Sequence, residues 1–344
     1  MRVKTSAFLV SLLAILSLLD WSAAPSYAGP SLWEQARQQT FAKLGQVPKP
    51  QKPLRLGAVL ITLANPFWVA MKEGYENTAK EYGVQIDVQA APQENSLTAQ
   101  LDILENMLSK RYDALVAHTI TAHNLIPGLV KAKQMGIPVV TDRRVDLKAA
   151  REAGADPIAI NLVDFYAQGK LGAEYIAQEL KKKGGGKVAI IEGLPGAPQS
   201  EARRDGARDV FKNSQHLQLV SVQPADWDRS KAYNVTTNIL QAHPDLKGIM
   251  CANDIMALAA VEAIESAGKS GQVMVVGIDL ISQGKEAIAK GRLAASVAFS
   301  PFVIGETCAR AAIAVAQGVK IPEDLGVVSV LATQENIKEL ADWK

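Results

Sequence analysis

Residues 55–83 read RLGAVLITLANPFWVAMKEGYENTAKEYG, and the order of residue types in them decides the fold. Arg55 to Thr62 is a nearly unbroken apolar run, the pattern of a strand covered on both faces. Asn65-Pro66 follows, with an amide suited to capping a helix and a proline suited to its first position. The spacing predicts a strand over 55–62 and an amphipathic helix over 66–82. Phe67, its second residue, fits either the core or a ligand face.

The same alternation extends outward along the chain. Apolar segments rich in Val and Ile predict further strands near 84–89, 113–118, 137–142, 157–163, 187–193, 217–222, 247–252, 273–279, 293–298 and 326–332. Helices are predicted over 32–44, 66–82, 96–110, 122–135, 166–183, 200–213, 229–242, 254–267, 282–290 and 301–317. Strands separated by helices imply βαβ units, parallel sheets and right-handed crossovers. Some ten strands exceed one comfortable sheet, so two similar α/β bodies are expected. GIPVVTD (136–142) and QVMVVGID (272–279), apolar strands that both end in Asp, give a weak internal echo of such a duplication. No stretch reads as a flexible linker between the bodies.

Composition narrows the function. The chain has 344 residues, 48% of them hydrophobic and 21% charged, enough to bury a real core. The net charge of +2 argues against a nucleic-acid binder, which carries a large basic excess. Cys251 and Cys308 cannot form a disulfide-dense scaffold or a zinc cluster, and both are expected free and buried. No GxSxG, HExxH or phosphate-loop spacing is present, so no catalytic role and no cofactor are expected. KKKGGGK (181–187) reads as the lysine-rich last turn of a helix with a glycine stop.

The first residues read as an export signal. Arg2 and Lys4 precede an apolar run from Ala7 to Leu19, and Ser26-Tyr27-Ala28 places small residues for a cut after Ala28. The run is shorter than the ~20 residues that span a bilayer. Residues 29–53 form a lead-in: a short helix, then Pro48, Pro50 and Pro53 in a stiff spacer. A periplasmic location is expected.

In open parallel sheets, ligands bind outside the carboxyl ends of the strands. Here those ends present Asn65, Phe67 and Trp68, then His118, Asp142 and Arg143, then Trp227, Asn253, Asp279 and Phe299. Carboxylates, amides and guanidinium groups suit vicinal hydroxyls, and flat rings suit the apolar faces of a sugar. Local roles compete at several positions. Asn65 and Asp228 are good helix caps, Asp254 fits a helix start, and His118 fits a buried, satisfied histidine.

Several stretches resemble the ribose-type periplasmic binding proteins, the sugar-binding components of ABC importers. These are LANPFWVAMKEGYENTAKEYG (63–83), VVTDRR (139–144), QPADWDRSKAYNVTTNILQAHPD (223–245), CANDIMALAAVEAIESAGKS (251–270), VMVVGIDL (273–280) and GRLAASVAFSP (291–301). The resemblance runs from about 55 to 330. It implies an α/β fold of two Rossmann-like lobes with parallel sheets, 54–163 plus 300–326 and 164–299 plus 327–344. Three hinge crossings join them, near Val163-Asp164, Phe299-Ser300 and Gly326-Val327.

The resemblance also implies roles. Phe67, Trp68 and Trp227 would stack on the ligand, Asp142 and Arg143 would grip hydroxyls, and Asn65, Asn253 and Asp279 would complete the set. His118 stands where ribose-type proteins carry an Asn, and Phe299 replaces their hinge Gln. The second-lobe arginine of those proteins has no clear match: SEARRDG (200–206) places Glu201 there if Arg203 is the following arginine, or Arg203 itself if the register shifts. The implied ligand is a small sugar or polyol, less hydroxylated or larger than ribose. The implied partner is an ABC permease, with a membrane sensor as the alternative, and the chain is expected to act as a monomer.

Overall fold

The computed structural model describes residues 30–344 apart from residue 143. The expected signal segment, residues 1–28, therefore lies outside the described residues, as does Arg143.

Two sheets organise the described residues. The first contains β1 (Arg55–Thr62), β2 (Gln85–Ala91), β3 (Ala114–Ala117), β4 (Val139–Asp142) and β5 (Ile158–Ile160), all parallel, in the order β2-β1-β3-β4-β5. The second contains β6 (Gly186–Glu192), β7 (Leu217–Pro224), β8 (Leu246–Cys251), β9 (Met274–Asp279), β10 (Ala295–Ala298) and β11 (Val330–Thr333), in the order β11-β10-β9-β8-β6-β7. In each sheet the strand order reverses once near the middle, between β1 and β3 and between β6 and β8. Crevices open at such points. One expectation fails: β11 runs antiparallel to β10, because the chain re-enters this sheet through a crossing and not through a βαβ crossover.

Among the described residues eleven helices fill the connections: α1 (Leu32–Leu44), α2 (Pro66–Tyr82), α3 (Leu97–Ser109), α4 (Ile126–Gln134), α5 (Leu147–Glu152), α6 (Phe165–Lys181), α7 (Pro198–Asn213), α8 (Arg229–Ala242), α9 (Asp254–Ser266), α10 (Ser282–Ala289) and α11 (Pro301–Ala316). α4 starts later than expected, because Asn124 Oδ1 accepts from Thr121 and Thr119 and holds the preceding residues in a turn. α5 was not expected; Asp146 starts it by accepting from the amides of Lys148 and Ala149. Among the described residues no helix is long and apolar enough to cross a membrane.

α11 returns from the second sheet to pack on α2. A Cβ at Gly74 would meet the Phe302 carbonyl at 2.1 Å, and one at Gly305 would meet the Met71 carbonyl at 2.1 Å, so only glycine allows this approach. α1 lies over the same region. Trp33 Nε1 donates to Ser300 Oγ, Lys43 Nζ donates to the Gly326 carbonyl, and Arg37 grips the buried Glu306 at 2.6 and 2.8 Å.

The chain passes between the two sheets at residues 161–164, 299–300 and 325–329. The first and third passages run side by side. Leu325 and Gly326 amides donate to the Asn161 carbonyl, and the Val327 amide donates to that of Leu162 at 2.7 Å.

Candidate functional site

The carboxyl ends of both sheets face one cavity beside these passages, with about 440 Å³ of free space including its mouth. Eight of the expected residues line it: Asn65, Phe67, Trp68, Arg203, Trp227, Asn253, Asp279 and Phe299.

The wall from the first sheet is built on the start of α2. Asn65 Oδ1 accepts from the Phe67 amide at 3.0 Å, so the cap is real. Its Nδ2 donates to Glu94 Oε1 at 3.0 Å, and Trp68 Nε1 donates to the same oxygen at 3.2 Å. Glu94 is thereby fixed at the cavity edge, and burial pushes its carboxyl above the usual range despite these two bonds. Phe67 meets Trp68 edge-on at 5.0 Å and Phe299 at 5.2 Å, which makes a continuous aromatic surface.

Asp142 and His118 stand behind this wall and do not line the cavity, which corrects the expectation for both. Asp142 Oδ2 accepts from Arg144 Nε at 2.7 Å and from His118 Nδ1 at 2.9 Å, while His118 Nε2 pairs with the Tyr75 hydroxyl at 2.7 Å. Burial alone would raise the Asp142 carboxyl, but the Arg144 charge and the His118 bond outweigh it and hold it at about 2. Burial lowers His118 and keeps it neutral, against the pull of Asp142. Arg144 also lines the cavity. Its guanidinium lies 5.2 Å from the Trp68 ring and 5.7 Å from the Phe165 ring, so it touches walls from both sheets.

The wall from the second sheet carries the other charges. Arg203 lines the cavity, whereas Glu201 turns back to accept from the Gly196 amide. Arg203 donates twice to Gln168 Oε1, at 3.0 and 2.9 Å, and once to the Ala252 carbonyl at 2.8 Å. Its guanidinium sits 5.4 Å from Phe165 and 5.5 Å from Phe299. Asp279 Oδ1 is 3.7 Å from Arg203 Nη2, an ion pair without a hydrogen bond. Burial drives both toward neutrality: the Asp279 carboxyl is pushed well up, with Arg203 opposing, and Arg203 is lowered to about 10.

Asp279 has φ 115° and Leu280 φ 53°, conformations that L residues rarely adopt. The turn is held from beneath. Asp254 Oδ2 accepts from the Ile281 amide, Asp254 Oδ1 accepts from Ser296 Oγ, and that hydroxyl accepts from the Leu280 amide. Asp254 is therefore a buried anchor, and Asn253 caps α9 by accepting from the Met256 amide. Trp227, at φ 64°, lays its ring on Gly193, where a Cβ would sit 2.2 Å from the indole. Asp228 caps α8, as its position predicts.

Sequence reasoning missed Glu94, Arg144, Phe165 and Gln199, all of which line the cavity. The strand-end rule reaches three of them: Glu94 follows β2, Arg144 follows β4, and Gln199 opens the helix after β6. Phe165 begins α6, just past the first passage.

A periplasmic binding protein domain model matches residues 56–320. The D-allose-binding periplasmic protein of Escherichia coli is 40% identical over 283 residues, 80% of this chain and 91% of that protein. The ribose import binding protein of Bacillus subtilis is 33% identical over 83% of this chain and 89% of its own length. A periplasmic solute-binding protein of an ABC transporter from Actinobacillus succinogenes, solved with bound D-allose, superposes with a TM-score of 0.78 at 34% identity. The match covers 83% of this chain and 99% of that one. The chain belongs to the ribose-binding-like family of periplasmic binding proteins.

Proposed function

We propose that the protein captures one monosaccharide, an aldohexose of the D-allose type, between two lobes and presents it to an ABC importer permease. The lobes are 54–163 plus 300–326 and 164–299 plus 327–344, and the chain works as an exported monomer cut after Ala28. The observation that carries this reading is the cavity itself. It combines aromatic walls from Trp68, Phe67, Phe299 and Trp227 with carboxylate, amide and guanidinium groups drawn from both sheets. Rings cover the apolar faces of a pyranose, and the polar groups meet its hydroxyls. The relatives known to bind D-allose and ribose support the same ligand class.

Closure follows from where the groups sit. Arg144 belongs to the first lobe and Asp279, Asn253 and Arg203 to the second, so a ligand touches all of them only when the lobes meet. The paired passages at Asn161-Leu162 and Leu325–Val327 give the rotation a narrow pivot.

A thermal-shift and calorimetric screen of D-allose, D-ribose and other aldoses tests the reading. A ligand at 100 times its dissociation constant adds about 2.7 kcal/mol to stability. Small-angle scattering with the tightest sugar should show a smaller radius of gyration. A shift with amino acids or nucleosides and none with sugars would overturn the assignment. Intact mass of the exported protein should correspond to a chain beginning at Gly29.

A further inference from the structure

The first turn of α7 holds a polar group that the protein itself leaves unused. Gln199 lines the cavity at 7% exposure, and its Oε1 is buried with no hydrogen-bond partner. Buried amide oxygens are nearly always satisfied, and an unsatisfied one bears the full cost of lost hydration. The neighbouring groups do not relieve it. Arg203, four residues on and on the same helix face, directs three of its N–H groups to Gln168 and Ala252. Asn253 spends its side-chain oxygen on α9, and Asn65 spends its amide on Glu94.

We infer that Gln199 is a specificity residue: its carboxamide completes its hydrogen bonding on one particular hydroxyl of the bound sugar. This rests on the monosaccharide reading above. Sugars that lack or invert that hydroxyl leave the amide unpaired in a closed cavity, a penalty that a purely apolar wall would not impose.

The test uses calorimetric titration of the full protein with D-allose, D-ribose and the monodeoxy derivatives of D-allose. One monodeoxy derivative should bind the parent about three- to tenfold more weakly than D-allose, the scale of one net hydrogen bond. Gln199→Met should lose the same factor on D-allose and bind that derivative as the parent does. Gln199→Leu, a shorter apolar replacement, should behave alike. Both variants should melt without ligand at or above the parent's temperature, because the unpaired oxygen is gone, whereas a structural role for the amide would lower it. Equal losses for every sugar, or a variant that still discriminates against the same derivative, would overturn the inference. If the parent binds none of these sugars, the monosaccharide reading falls with it. If the parent binds them and the variants match it throughout, only the role of Gln199 falls.

Discussion

Asp279→Asn should make the protein more stable and a poorer binder at once. Asparagine keeps the shape and tolerates φ 115°, so the turn through Leu280 need not move. What changes is charge. Burial raises the Asp279 carboxyl well above its usual range, Arg203 at 3.7 Å relieves it only in part, and Asp254 and Glu94 add repulsion. A carboxyl raised on folding contributes stability below its unfolded value of about 4 and loses it as pH rises through the folded value. At pH 7.5 the buried carboxyl is therefore a burden that the amide lifts.

Binding moves the opposite way. A hydroxyl donating to a carboxylate contributes about 1.5–3 kcal/mol and one donating to an amide about 0.5–1.5, so the loss is about 1–1.5 kcal/mol, or five- to thirteenfold in Kd. Urea unfolding at pH 7.5 and 5, with calorimetry on the tightest sugar, reads both effects. The gain in stability should shrink at pH 5. Were Asp279 instead the structural counter-ion of Arg203, its removal would cost about 3–5 kcal/mol. A destabilised variant with unchanged affinity would refute the reasoning.

Other outcomes follow from the same geometry. Asp142→Asn should cost about 2–3 kcal/mol at pH 7, because the carboxyl is depressed from 3.8 to about 2; the parent's advantage should vanish as pH falls from about 4 to 2, as followed by denaturant titration. Gly193→Ala should push the Trp227 ring off its seat, since the new methyl would lie 2.2 Å from the indole; tryptophan fluorescence and sugar affinity should both change, with melting temperature less affected. Arg37→Gln should cost about 3–5 kcal/mol by leaving the fully buried Glu306 carboxylate without its cation, and Arg37→Gln with Glu306→Gln should recover part of that in a double-mutant cycle.

Most of the architecture was readable because strand and helix periods are local. Arg55–Thr62 and Met274–Asp279 each end where the apolar run ends, so the residues at the crevice could be named by counting. The site was less readable where position depends on a turn. Asp142 ends a strand and reads as a ligand contact, but its neighbours in space are Arg144 and His118, which claim it. After β4 the two-residue period stops, so the sequence did not single out Arg144 as a cavity residue. Glu94 escaped notice because the end of β2, at the outer edge of the first sheet, carried no aromatic or Asp to draw attention. The direction of β11 depends on how the third passage enters the sheet, which no local pattern encodes.

The two walls of the cavity are prepared differently, and that difference supplies a mechanism for capture. In the first wall the charges are already matched: Asp142 holds Arg144 at hydrogen-bond distance, His118 closes the back through Tyr75, and Glu94 has Asn65 and Trp68. These groups are paired within the protein, so a ligand has less to order on this wall. In the second wall Asp279 stands on a strained turn, 3.7 Å from Arg203, with both groups driven toward neutrality by burial. Closing the lobes on an empty cavity removes water from these groups and offers nothing in return. On the function proposed above, closing them on a sugar would replace that water with hydroxyls that donate to Asp279 and accept from Arg203. The free energy of closure thus depends on the ligand mainly through the second wall, and differential affinity of this kind is what a ligand needs to shift the equilibrium between open and closed forms.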